Sequence, residues 1–222
     1  NLRPREIKMY KFEPGIYKEL LNKGNYDQTF SEDIDPHYLR APLFRVVGDW
    51  DPTQIEVFRE KKTSGPVTVQ QQSINGLGLG DRYVEGRLED SSPLLGKITK
   101  ALPFAKSRSL VHIQKPGQMH MLHMDANYGN GFWDYLGEEK NKKLARLMIM
   151  LDDWAPGQVM MFGGKHIHHW KKGDAIYFRW QDIPHGTANF GHTDRPLIIT
   201  TGEVTDKFNL LLEQDEVTEI KI

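Results

Sequence analysis

From Ser109 to about Thr201 short apolar runs follow one another, each bounded by glycine, proline or charge, which predicts strand after strand. Arg146-Leu147-Met148-Ile149-Met150-Leu151 and Arg195-Pro196-Leu197-Ile198-Ile199-Thr200-Thr201 read as core strands. Lys171-Lys172-Gly173-Asp174 reads as a turn feeding a β-rich stretch through Trp180. Upstream the pattern is looser. Residues 1 to about 23 predict a strand and a short helix broken at Pro14-Gly15, residues 24–54 look irregular, and Val67 to Ile74 predicts a strand. Ser92-Pro93-Leu94-Leu95 opens a helix expected to run to Leu102, with Ser92 as cap and Pro93 in the first turn. No repeat and no second domain is evident, so the 222 residues are read as one domain: 1–107 as N-terminal strands and buttressing helices, 108–204 as the core, 205–222 as a C-terminal segment.

The chemistry concentrates in His123-Met124-Asp125. On a strand, residues i and i+2 share a face, so His123 and Asp125 are expected to project together while Met124 turns away. A further imidazole from a distant strand would complete the 2-His-1-carboxylate facial triad of a non-haem iron site, with the opposite coordination face left for a chelating cosubstrate and dioxygen. A second H-x-D, His192-Thr193-Asp194, has no histidine after it, whereas His123 is followed by several. The best placed is His185, in Pro184-His185-Gly186-Thr187-Ala188-Asn189. The triad is therefore read as His123, Asp125 and His185. Arg195, opening the next apolar run, is expected to grip a dicarboxylate through its bidentate fork.

Other polar groups receive plainer readings. His166-Ile167-His168-His169 has no nearby carboxylate and predicts a polar hairpin rim. His120, of opposite parity to His123, should face away from it, and His112 should be a packed residue. Gly76-Leu77-Gly78-Leu79-Gly80-Asp81 lacks the Gly-Lys-Ser/Thr ending of a phosphate loop and predicts a turn. Tyr128 to Tyr135, with the charged run after it, predicts a loop or lid at the site mouth, and Trp133, Trp154 and Trp180 are candidate pocket walls or core.

As a set, Pro116-Gly117, His123-Met124-Asp125, the Arg146–Leu151 run, His185-Gly186-Thr187-Ala188-Asn189 and Arg195 resemble the Fe(II)- and 2-oxoglutarate-dependent dioxygenases, nearest the aspartyl/asparaginyl β-hydroxylase-like and prolyl-hydroxylase-like branches. The resemblance covers residues 108–204. It implies His123, Asp125 and His185 as iron ligands, Arg195 as partner of the distal carboxylate of 2-oxoglutarate, and Arg146 as a weaker candidate to assist there. It also implies use of O2, release of succinate and CO2, and hydroxylation as the default outcome. Retention of Asp125 argues against halogenation, for which related enzymes carry a small residue at that place. The expected architecture is mainly β with flanking helices, a double-stranded β-helix or jelly-roll barrel of the cupin kind.

Charge and composition then narrow the partners. A formal charge of −1 argues against nucleic-acid binding over the whole surface, which leaves a free amino acid or a peptidyl side chain as the favoured substrate and a nucleic-acid base behind it. Zero cysteines exclude a disulfide framework and thiolate metal ligation and suit a reducing cytoplasm. No apolar stretch long enough to span a membrane is present. The alternatives are a cupin-like barrel that binds metal without turnover and a zinc hydrolase using the same ligand types, and Arg195 separates them from the oxygenase, because a hydrolase needs a water-activating general base and only the oxygenase needs a dicarboxylate clamp. The sequence is silent on oligomeric state.

Overall fold

The computed structural model describes residues 34–51, 82–84, 93–123, 143–180 and 182–222. Its strands are β1 (Leu39–Val47), β2 (Arg82–Val84), β3 (Phe104–Gln114), β4 (Met119–His123), β5 (Leu144–Met150), β6 (Gln158–Phe162), β7 (Lys165–Ile167), β8 (Asp174–Phe178), β9 (His185–Asn189), β10 (Arg195–Val204) and β11 (Thr218–Lys221). Among the described residues two helices accompany them, α1 (Pro93–Ala101) and α2 (Asp206–Glu213).

The strands form a seven-stranded sheet in the order β11-β1-β8-β5-β10-β3-β2 and a four-stranded sheet in the order β4-β9-β6-β7. From β3 to β10 the chain passes back and forth between them: β3 in the large sheet, β4 in the small, β5 in the large, the β6–β7 hairpin in the small, then β8, β9 and β10 in turn. That alternation is the topology of a double-stranded β-helix, and the expected fold class stands.

Period-two patterning assigns each side chain of the large sheet to one of two cores. Leu147, Ile149, Val111, Ile198 and Ala175 face outward and pack with Leu95 and Ile98 of α1 and Phe208 and Leu211 of α2. Met148, Met150, Leu197, Ile176 and Phe178 face inward and meet Met160, Phe162 and Trp170 across the barrel. The α2 helix starts where the Thr205 hydroxyl accepts the Phe208 N–H, which turns Phe208 onto the sheet. Among the described residues no helix is long and apolar enough to cross a membrane.

The predicted helix after Ser92 and the core strands appear where expected. Residues 39–47 were expected to be irregular and instead form β1, inside the large sheet between β8 and β11. Pro42 hides it: proline cannot donate to a ladder, and the pairing with β8 shifts register between Arg40 and Phe44, around that residue. The large sheet thus extends beyond residues 108–204 on both sides. The strand expected over Val67–Ile74, the elements before residue 24, the Gly76–Asp81 turn, Trp133 and the lid expected from Tyr128 lie outside the described residues.

Gly173 turns the chain into β8 with φ +88°, and a Cβ there would run into the Val46 carbonyl oxygen. Its own N–H and C=O bond Met150 O at 2.7 Å and Val46 N at 2.9 Å, so the turn cannot drift aside. Gly173→Ala is expected to cost about 2–4 kcal/mol. Thermal melting should show this as a fall of roughly 5–15 °C; an unchanged melting temperature would mean the turn relaxes freely.

Candidate metal centre

His185 opens β9 on the barrel's inner face and is 5% exposed. Its Nδ1 lies 3.0 Å from the Ile183 carbonyl oxygen, which can only accept, so Nδ1 carries the proton and the lone pair of the neutral ring sits on Nε2. A backbone carbonyl fixing one imidazole nitrogen so that the other can ligate is the usual outer support of a metal-binding histidine. The Phe178 ring, 4.7 Å away, holds the imidazole from the side. In the β4–β9 ladder the direct partner of His185 is His123. The topology therefore brings the two histidines of the expected triad into one cross-strand pair. Asp125 lies outside the described residues. Among those described, no group of three or more His, Cys, Asp or Glu side chains surrounds a common metal position.

The ladder contains an irregularity that alters one expectation. His120 pairs with Thr187 and His123 with His185, so three residues of β4 span what two span on β9, a β-bulge. Thr187 and His185 share a face, and the bulge resets the parity so that His120 occupies that face too. Simple alternation had turned it away. The ring of His120 sits edge-on to that of buried His112, with centroids 6.4 Å apart. Gly186 makes the bulge possible, because a Cβ there would lie 2.9 Å from the His120 carbonyl oxygen and 3.0 Å from the Leu122 nitrogen.

A polar chain runs from His185 to the far end of the barrel. Two residues along β9, the Thr187 hydroxyl accepts from Gln114 Nε2 at 2.9 Å. Gln114 stands opposite Arg195 in the β3–β10 register. Arg195 is 2% exposed and shares the inward face of β10 with Leu197. Strand spacings put the His185-to-Arg195 separation on the order of 10 Å. This end is closed by Asn189, whose Nδ2 donates to Gln114 O at 2.9 Å and Thr193 O at 2.8 Å, while Gly117 N donates to Asn189 O at 2.7 Å. Gln158 Nε2 adds a bond to Thr193 O at 3.3 Å. Sequence reading singled out neither Gln114 nor Thr187 for a role; the only available signal was their polarity at inward parity, which they share with His112 on β3 and with His185 and Asn189 on β9.

Arg146 is not brought to Arg195. In the β5–β10 register it pairs with Thr201, six positions along β10 from Arg195, or roughly 20 Å. One dicarboxylate tail cannot reach both, so assistance at that tail is corrected. Arg146 lies instead at the His185 end: it pairs with Phe178, its Nε donates to Thr201 Oγ1 at 3.0 Å, and its guanidinium lies 4.8 Å from the centroid of the Trp180 ring. Trp180 is buried there, which fits the pocket-wall reading, while Trp154 lies on the opposite rim, half-buried, with its ring centroid 4.1 Å from that of His169. His166, His168 and His169 are exposed, as a polar rim requires. Beside Trp180, a cleft of about 450 Å³ includes Tyr177. Burial chiefly raises that phenol above its ordinary range, Arg179 lowering it and Asp182 raising it, so the hydroxyl stays protonated and donates to His37 O at 3.3 Å.

No protein-family profile matches the chain, and no curated protein is similar to it in sequence. Solved structures are similar in part. A viral collagen prolyl hydroxylase from Paramecium Bursaria Chlorella virus-1, solved as a 2OG complex, is 18% identical, with 59% of this chain and 84% of that one covered and a TM-score of 0.37. A cupin-superfamily sugar phosphate isomerase from Silicibacter pomeroyi is 14% identical, covering 71% and 76% with a TM-score of 0.39. A predicted oxalate decarboxylase from Thermotoga maritima is 15% identical, covering 56% and 81% with a TM-score of 0.34.

Proposed function

We propose that this chain is an Fe(II)- and 2-oxoglutarate-dependent dioxygenase that hydroxylates a free amino acid or a peptidyl side chain. The observation that carries the reading is the pairing of His185 with His123 at one end of a barrel whose other, closed end holds a buried arginine. Iron with 2-oxoglutarate and oxygen would supply the oxidising chemistry, leaving succinate and CO2 as coproducts.

The donor set fits such a metal. Neutral imidazole and carboxylate are the ligand types of non-haem iron, and the Ile183 carbonyl fixes His185 in the ligating tautomer. His123, Asp125 and His185 would hold the ion. Arg195 binds and orients the distal carboxylate of the cosubstrate, with Gln114 and Thr187 setting the polar floor between clamp and metal. Met148, Met150, Met160, Phe162 and Phe178 keep the space around the reacting groups dry.

The test is succinate formation by iron-loaded protein with 2-oxoglutarate and oxygen, alone and with pooled amino acids, peptides and oligonucleotides. Succinate that rises with the amino acid or peptide pool and vanishes with a chelator is expected. A rise with oligonucleotides alone would move the substrate to a nucleic-acid base. Metal binding without succinate under every condition would make the chain a non-catalytic barrel.

A further inference from the structure

We propose that the cleft of about 450 Å³ between the end of β8 and helix α2 is a second ligand site, one that takes a small organic acid with an apolar body. None of the residues assigned above to metal or cosubstrate lines it, so the inference stands apart from the oxygenase reading. Its volume falls within the range of about 300–1,000 Å³ in which proteins hold small molecules. The walls are largely hydrocarbon. Tyr177, Trp180 and Phe208 contribute rings, and Leu144, Val204 and Leu212 remain only partly buried after both cores have formed. Apolar surface left open in a concavity is stabilised by whatever apolar group covers it.

The polar groups of the cleft select the charge of that ligand. Arg179 and Asp182 answer each other, with Nε 2.7 Å from Oδ2, and the Arg179 guanidinium lies 4.6 Å from the centroid of the Tyr38 ring. That pairing neutralises the acid that lines the cleft and leaves the charge of Lys143 over. Lys143 makes no ion pair among the described residues, while its main chain is tied down where Lys143 O accepts the Val204 N–H at 3.0 Å. The ammonium thus hangs from a fixed base. Tyr177 supplies a second donor. Burial keeps its phenol protonated, and its bond to His37 O is 3.3 Å, longer than the roughly 2.5–3.0 Å usual between oxygens, so a closer acceptor can draw the proton. Asn209, exposed on α2, brings an amide to the same opening. One cation and two neutral donors over an apolar floor complement a carboxylate carried on an aliphatic or aromatic body.

Isothermal titration of the full chain with octanoate, 3-phenylpropanoate and indole-3-acetate, each against its primary amide, tests the site. At least one acid is expected to bind with a Kd below about 1 mM, and its amide roughly 10-fold more weakly. Lys143→Glu should weaken the acid by roughly 10-fold or more and the amide little. Asn209→Trp, which plugs the opening from an exposed helical position, should remove both. Arg195→Ala should leave acid binding unchanged, because that cation is enclosed in the barrel. Thermal melting of each variant keeps a lost site distinct from a lost fold. Acid and amide binding alike, acid affinity unchanged in either Lys143→Glu or Asn209→Trp, its loss in Arg195→Ala, or no acid binding below about 1 mM would overturn the proposal. Each of these results is independent of whether the protein forms succinate.

Discussion

Arg195→Ala is expected to weaken 2-oxoglutarate binding by a factor of about 10² to 10³, because removing one partner of a buried ion pair costs about 3–5 kcal/mol. The effect should be that large because Arg195 is fully enclosed. It is 2% exposed, opposite Gln114 and behind the Asn189 bonds that seal this end of the barrel, where water cannot replace the lost donors. Metal affinity should change little, since the residue sits on the order of 10 Å from His185. Arg195→Lys should fall between, keeping the charge and losing the two-pronged geometry. Titration of 2-oxoglutarate and of Mn(II) into each variant checks this. Equal loss of both ligands, or of neither, would remove Arg195 from its role as clamp.

His185→Ala should act on the other ligand. Disturbing outer partners of a metal-bound histidine costs about 10–100-fold in affinity. Deleting the ligand itself should therefore weaken metal binding by well over about 100-fold and carry succinate formation down with it. The fold should survive, because β9 remains paired on both sides, with β4 and with β6. The space left against Phe178 and Phe162 should lower stability by about 2 kcal/mol. Turnover retained in a folded His185→Ala protein would show that the chemistry resides elsewhere. Comparing Mn(II) titration with thermal melting keeps a lost ligand distinct from a lost fold.

Much of this was legible in the chain. The unbroken apolar run from Leu147 to Leu151 announced a strand with two buried faces, and the structure divides those residues between two cores. His185 stood out because it is the histidine downstream of His123 on the strand before Arg195, and register then pairs it with His123. What stayed hidden depended on distance along a ladder or on departures from regularity. Arg146 and Arg195 both open apolar runs and looked equivalent as sequence; antiparallel pairing of β5 with β10 sends them to opposite ends. His120 was placed by counting in twos, which fails at a bulge, and the close backbone contact over Gly186 is a tertiary fact. β1 was obscured by Pro42, a residue that marks the end of a strand more often than its interior.

The bonds among Asn189, Gln114, Gln158, Thr193 and Gly117 knit β3, β6 and β9 together at the Arg195 end. Under the proposed function the cosubstrate's distal carboxylate sits at that knitted end and the metal at the other, so substrate placed over the metal should slow exchange of the cosubstrate without competing for the same cation.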